Sequence, residues 1–447
     1  MNTSLRVFRI GLYEEHLEEA AFLYGQCRAL ALRPDVPWRR LQDFEDRLEA
    51  HLDALIVGEA LALEVCRKRA IEGEAGELFA AVCVFCRNAE SPLLASVLRE
   101  LDYADPQRVQ TVVDALKAEL PDGWQEPCLR AVAGGKGAIV AMLASVIGYR
   151  RVQRADVLAR ALATASPTEQ VALLGALGRV SGSVESVLPC LQSPDPTVRA
   201  AALRAGLRLQ DRFAADRLSA LGAAQSSPLE AGLGGERAMA AALIPALRGE
   251  ETPREVVVAL GLLGDLSAVR PLLELLKVET LAPLAAQTLH VITGAALFET
   301  ALIADEMDED EMFEHEREEF RRTGRTPLRG DGKPFGENVS RLSMDAQLWS
   351  NWLQANSGSF TGGRRYRLGR PYDPATLLHC LESETYPKVY RALVADELLI
   401  RYGLDLPLET DMPVIRQVRH LELAAESIVQ ASRVAEPGRW YLAGRLI

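Results

Sequence analysis

Side chains able to do chemistry are sparse in this 447-residue chain. His16 and His51 fall in stretches of helical pattern, each beside carboxylates: Glu14, Glu15, Glu18 and Glu19 for one, Glu49 and Asp53 for the other. Two imidazoles and a carboxylate on facing helices make a zinc or iron ligand set. The spacing matches no H-E-x-x-H helix. Buried imidazoles need hydrogen-bond partners in any case, so the expectation is a helix-to-helix hydrogen bond and no metal. Cys83 and Cys86 form a C-x-x-C. Redox pairs of this kind open a helix, where the helix N-terminus lowers the thiol pKa. Here the pair sits mid-helix among Ala, Val and Phe, which predicts core packing. In GGKG (Gly134–Gly137) a glycine follows the lysine where a phosphate loop needs Ser or Thr, and no strand precedes it, so a turn is expected. Asp305–Glu319 carries ten acids against one arginine. It lacks the central glycine of a calcium loop. It reads as a solvated helix or linker, with docking to a basic partner, or to the basic stretch Arg321–Arg341, as the alternative.

The densest constellation is Trp349, Trp352, Phe360, Arg364, Arg365, Tyr366, Arg367, Arg370 and Tyr372. Trp, Tyr and Arg concentrate binding energy at protein interfaces, and arginines interleaved with aromatics also suit single-stranded nucleic acid. The structural alternative packs the tryptophans at the end of a helix array and pairs the arginines with acids or helix C-termini. Trp349, Trp352, Arg364, Arg365, Tyr366, Arg367 and Arg370 are carried forward as the partner-binding set. On that reading Arg365→Glu with Arg367→Glu keeps the fold and loses a partner. Neither G-x-S-x-G nor H-E-x-x-H occurs. No nucleophile–base–acid set can be assembled, so no catalytic, cofactor or metal residues are assigned and a non-enzymatic protein is expected.

The elements that must position these residues are helices. Apolar residues make up 48% of the chain and aromatics only 6%; Ala and Leu dominate, which favours closely packed helices over sheets. A net charge of −12 makes the whole surface a poor polyanion binder. The seven cysteines suit reduced thiols in the cytosol. Neither a signal peptide nor an apolar run of membrane-spanning length is expected. Trp38–Val57 places Leu41, Phe44, Leu48, Leu52 and Leu55 at helical spacing, and Gly58 breaks it.

Pro189–Leu209 (PCLQSPDPTVRAAALRAGLRL) shows the organising unit. Pro194 and Pro196 stop one helix, and Asp195 caps the next with Pro196 at its first position. Val198, Ala201, Ala202, Ala205 and Leu209 line one side, with Leu203 and Leu207 on another. A helix apolar on two sides must be sandwiched. Similar starts at Pro127, Val157 and Val187 recur about every thirty residues, the period of a helix-pair solenoid. Phe213–Glu236 reads as an eroded, Gly-rich repeat. Leu378–Tyr402 aligns with the guiding unit, Cys380 matching Cys190 and Leu381 matching Leu191. The domain reading is an N-terminal helical block over 1–91, an array over 92–300, an acidic-then-basic insertion or linker over 301–345, and a resumed helical region over 346–447 that Trp440–Ile447 caps.

Asp195–Ala202 (DPTVRAAA) resembles a HEAT repeat, so the fold class expected is an all-α, HEAT-like alpha-solenoid. A second resemblance involves EEHLEEAAFLYGQCRAL and RLEAHLDAL near the start, and WSNWLQ followed by GGRRYRLGRPYDP. These look like a family of bacterial HEAT-repeat proteins encoded beside type VI secretion genes, notably those for spike proteins and their cargo. That family brings no catalytic residues to carry over. The resemblance implies a cytoplasmic bacterial accessory protein that handles a secretion effector or spike component. With the acidic charge and the lack of a spanning apolar run, the expectation is a scaffold or adaptor with such a protein partner, no cofactor, no membrane, and nucleic acid disfavoured. The alternatives from other classes are a HEAT-like enzyme such as a DNA glycosylase, which needs a basic groove, and a toxin-immunity protein.

Overall fold

Proline and the residue before it set where several helices begin. Asp105 precedes Pro106 and accepts the backbone N–H groups of Gln107 and Arg108; Asp195 precedes Pro196 and accepts those of Thr197 and Val198; Asp373 precedes Pro374 and accepts that of Thr376. Ser166, before Pro167, forms a reciprocal capping box with Glu169. Proline at the first helical position forfeits nothing, because that N–H has no intrahelical partner, and the cap satisfies the next ones.

The computed structural model describes residues 3–180, 182–211, 214, 216, 227–304, 309, 312–328, 330 and 332–447. The chain is mostly helical. An N-terminal block comprises α1 (Thr3–Leu32), α2 (Gln42–Val57), α3 (Glu59–Glu72) and α4 (Ala75–Arg87), with α1 packed along α2 and α4. Then come α5 (Ser91–Glu100) and α6 (Pro106–Glu119), α7 (Gln125–Gly134) and α8 (Ala138–Tyr149), α9 (Ala155–Leu162) and α10 (Pro167–Leu177), and α11 (Pro196–Arg208). Of the expected eroded repeat, much lies outside the described residues; its described end is α12 (Pro228–Gly234). Next are α13 (Ala238–Leu243), α14 (Arg254–Leu263), α15 (Val269–Leu275) and α16 (Ala282–Thr293).

The second helix of each pair lies against the next, so that α4, α6, α8, α10, α11, α12, α14 and α16 form one continuous row of contacts. Small residues make the row close. A Cβ on Gly148 would lie 2.7 Å from the Ala176 Cα, and one on Gly232 2.8 Å from the Ala259 Cα. That is why the composition runs to Ala and Gly: backbones meet where larger side chains would hold them apart.

The segment read as a linker is ordered differently from that expectation. Strand β1 (Phe298–Ala304) pairs antiparallel with β2 (Gly336–Leu342), in register from Phe298 opposite Leu342 to Ala304 opposite Gly336. Between them lies α17 (Glu314–Thr323). Most of Asp305–Glu311 lies outside the described residues. Glu309 accepts a hydrogen bond from Arg321 Nε at 2.8 Å, so the acidic and basic stretches touch. The ribbon escapes a periodicity search because its strands pair across more than thirty residues, and in β2 only Val339 is buried.

The C-terminal region holds α18 (Ala346–Ala355), the short hairpin β3 (Tyr366–Arg367) and β4 (Arg370–Pro371), α19 (Pro374–Glu382), α20 (Lys388–Tyr402), α21 (Val414–Val434) and the hairpin β5 (Tyr441–Leu442) and β6 (Arg445–Leu446). It does not simply extend the row. α20 packs across α11, α12 and α14, and α21 reaches α2. Contacts of several kinds tie this region to the N-terminal block, an Arg39–Glu384 ion pair at 3.8 Å among them. Lys388 Nζ donates to the Leu30 and Ala31 carbonyls at 2.9 and 3.0 Å, the Arg391 guanidinium lies 3.9 Å over the Trp38 ring, and Val414 N–H donates to Glu45 Oε2 at 2.7 Å. Among the described residues no helix is long and apolar enough to cross a membrane.

Candidate partner-binding face

The Trp/Arg constellation comes together in space, but inside the protein. Trp349, Arg365, Tyr366, Arg367 and Tyr372 are buried, the two arginines at 0% exposure. Trp349 donates its indole N–H to the Ser343 carbonyl at 2.7 Å. Trp352 is half-buried, its ring against Phe360, which in turn meets Tyr366. Arg364 and Arg370 alone of the set are exposed.

The buried arginines close helix ends. Arg365 donates to the Leu262 and Leu263 carbonyls at 2.5 and 3.0 Å, and Arg367 to Leu262 at 3.0 Å. These are orphan carbonyls at the C-terminus of α14, where positive charge is favoured. The β3–β4 turn serves α16 likewise, with Leu368 N–H on the Val291 carbonyl and Gly369 N–H on that of Ile292. One carboxylate, Glu397, accepts from Arg365 at 3.2 Å, Arg367 at 2.6 Å and Tyr372 at 2.9 Å. Arg365 also lies 3.4 Å over the Tyr372 ring. Burial is the largest single influence on Arg367 and works against its charge, but Glu397, Tyr386, Tyr372 and Cys380 together outweigh it, and the group is held well above its ordinary range. Arg401, buried nearby and donating to the Gly232 and Tyr441 carbonyls, is pushed down to about 9 by burial and by Arg365.

A docking role for Trp349, Arg365, Tyr366 and Arg367 is therefore withdrawn: none of them has surface to offer. The expectation that Arg365→Glu with Arg367→Glu spares the fold falls with it, since two carboxylates would face Glu397 in a dry core. Of the basic patch that argued for nucleic acid, Arg364 and Arg370 remain at the surface.

The smaller motifs find internal partners. His16 and His51 meet Nδ1 to Nδ1 at 3.1 Å between α1 and α2, and burial and His16 lower the pKa of His51. Among the described residues no group of three metal-ligating side chains is present. Cys83 and Cys86 lie in the core of α4, and burial pushes the Cys86 thiol up to about 12 and Cys83 well above its usual range, leaving protonated, unreactive sulfur. In the GGKG turn Gly137, at φ +79°, donates its N–H to Glu169, so a side chain of the protein stands where a phosphate would.

What spacing alone failed to flag is a ladder of cations at helix ends. Lys117, Arg150, Arg179 and Arg208 recur about every thirty residues near the ends of α6, α8, α10 and α11, with Arg151 and Arg204 beside them. Two of them staple neighbouring helices of the row: Arg150 Nη2 donates to the Leu120 carbonyl at 3.0 Å and Arg208 Nε to that of Gly178 at 2.9 Å. All but Arg150 meet acids of the C-terminal region. Asp396 on α20 takes Arg204, at 2.6 and 3.0 Å, and Arg208. Asp405 takes Arg151 at 2.7 and 2.8 Å, Glu409 takes Arg179 at 2.6 and 3.2 Å, and Asp411 takes Lys117 at 2.8 Å. The last three acids sit on the segment between α20 and α21, which is neither helix nor strand over 403–409. Leu406 and Leu408 anchor that segment in the core, and Arg151 Nη2 also donates to the Leu406 carbonyl at 2.7 Å.

No protein-family model matches the chain, and no curated protein matches its sequence.

Beside the ladder, a cavity of about 340 Å³ lies where α1, α2, α6 and residues 410–413 meet. Leu41, Leu48, Phe79 and Met412 supply apolar wall; Lys117 and Asp411 line both this cavity and the ladder. Asp114 accepts from Tyr24 at 2.9 Å, Arg28 at 2.8 Å and Gln110 at 2.6 Å. Glu45 also lines it, and burial raises its carboxyl to about 7.

Proposed function

We propose that the protein is a non-enzymatic scaffold or adaptor, a HEAT-like solenoid whose row of helix ends holds an extended segment of a partner protein. One observation carries this reading: the row already holds such a segment, the chain's own residues 403–413, through ion pairs at repeat-spaced positions and two leucine anchors. Stacked helix pairs suit the task because each repeat adds one more equivalent contact point along an extended ligand.

The resemblance at both ends of the chain supports a cytoplasmic bacterial accessory of type VI secretion, with an effector or spike component as the partner. The test is affinity purification of the tagged protein from its native host, followed by mass spectrometry. Recovery of a spike or effector protein is the expected result. Background alone, with the bait monomeric, would overturn the adaptor reading. A single stoichiometric toxin would favour immunity instead.

A further inference from the structure

The ladder is complementary to acid, and the chain fills it with a stretch of its own. We propose that the partner segment is an extended acidic peptide carrying apolar anchors, and that it binds Lys117, Arg151 and Arg179 by displacing residues 403–412; this rests on the adaptor reading above.

Three features of the resident segment argue that it is a stand-in. Its contacts with the array resemble those between two proteins: side-chain ion pairs at Asp405, Glu409 and Asp411 around the buried Leu406 and Leu408, an apolar centre with a polar rim. The Asp405 and Asp411 side chains are 54% and 56% exposed while their cationic partners are 18% and 17% exposed. Exposed ion pairs of this kind contribute little each, so the outer half of these two pairs is replaceable while the inner half is fixed in the array; in the third pair the carboxylate of Glu409 is the more buried member. The segment also forms one wall of the neighbouring cavity through Thr410, Asp411 and Met412. Lifting it opens that space to an apolar side chain of the incoming peptide. The resident copy competes at an effective concentration on the order of millimolar, which sets the threshold a partner must exceed. The whole protein's net charge of −12 disfavours nucleic acid as the occupant.

The probe is a synthetic peptide of residues 402–413, capped at both ends, titrated into the full-length chain. The comparison is with Asp405→Asn/Glu409→Gln/Asp411→Asn, which loosens the resident segment and leaves the ladder intact. The expected result is at least tenfold tighter binding by the triple variant than by wild type, abolished when Arg151→Glu and Arg179→Glu are added. A folded triple variant that binds no tighter than wild type overturns the proposal, as does equal binding of a peptide with lysines at the three acidic positions, or displacement by a single-stranded oligonucleotide and not by the peptide. A second measurement needs no variant. Hydrogen exchange on wild type with excess peptide should speed residues 403–412 and leave α4 unchanged; no change at millimolar peptide refutes the displacement. If host partners are still captured by Arg151→Glu/Arg179→Glu, the adaptor reading stands and the acidic-peptide assignment falls. If wild type captures none, both fall.

Discussion

Among the described residues Glu397 is the only carboxylate in hydrogen-bond contact with Arg365 and Arg367, and Arg401 lies buried beside them. Removing one member of a buried ionic set leaves the others uncompensated in a low dielectric, typically at about 3–5 kcal/mol. Glu397→Gln should lose that much in urea unfolding, and Arg365→Glu/Arg367→Glu should fail to fold, giving no cooperative melt by circular dichroism. Glu45 makes a second prediction at this scale. Its carboxyl stands at about 7 in the folded chain, raised by burial and only partly relieved by the Val414 N–H, against an ordinary 4.5. The folded state thus binds the proton more tightly than the unfolded chain does. Its contribution is full below pH 4.5 and is lost as pH rises through 7. Glu45→Gln removes the titration and retains an acceptor for Val414. It should match wild type near pH 4.5 and exceed it by roughly 1–3 kcal/mol at pH 8, read from denaturant midpoints at the two pH values. Neither role was legible beforehand. The same Arg-Tyr-Arg run serves an interface or a core equally well, and only the partner carbonyls, about a hundred residues upstream, decide which.

Among the elements, the turn-and-cap chemistry was the most readable. Asp195-Pro196 and Ser166-Pro167 begin helices where their residue types say they should, since a cap acts over three residues and needs no tertiary partner. Asp195→Ala should cost about 1 kcal/mol, visible as a lower urea midpoint. The β1–β2 ribbon and the β3–β4 clamp were not readable, because their hydrogen bonds go to distant backbone. Gly264 marks the clamp. It sits at φ +63° at the end of α14, and a Cβ there would lie 2.2 Å from the Tyr366 carbonyl oxygen. Gly264→Ala should destabilise by at least about 2 kcal/mol, from left-handed strain and a backbone clash, again measured by urea unfolding. The arginine staples fall between these cases. Their thirty-residue recurrence is written in the sequence, but a single arginine near a helix end is so common that the pattern shows only when the carbonyls they reach are known.

For the whole molecule, helical periodicity announced the row of helices and gave no hint that α20 lies across it. Leu378–Tyr402 carries the repeat's apolar pattern, and that pattern is satisfied by any apolar surface of the right width. Trp38, buried under Arg391, holds the N-terminal block to the C-terminal region. Trp38→Ala should cost about 3–5 kcal/mol, and hydrogen exchange should show it at both α2 and α21 rather than at α2 alone. Residues 403–411 should also exchange faster at 1 M salt than at 0.1 M, because the exposed pairs that hold them are screened.

Those same contacts set an order of events during synthesis. Lys388 grips the end of α1 across 358 residues of chain. At the usual ~5–20 residues per second of translation, the first helices wait roughly 20–70 s for the residues that cover them. During that interval Trp38 lacks the cover of Arg391, and Leu41 and Leu48 lack that of residues 410–413. A message cut short before residue 388 would yield a chain that never hides them. The closure of the early block by the late helices thus separates a chain that has passed residue 388 from one truncated before it, by what each leaves uncovered.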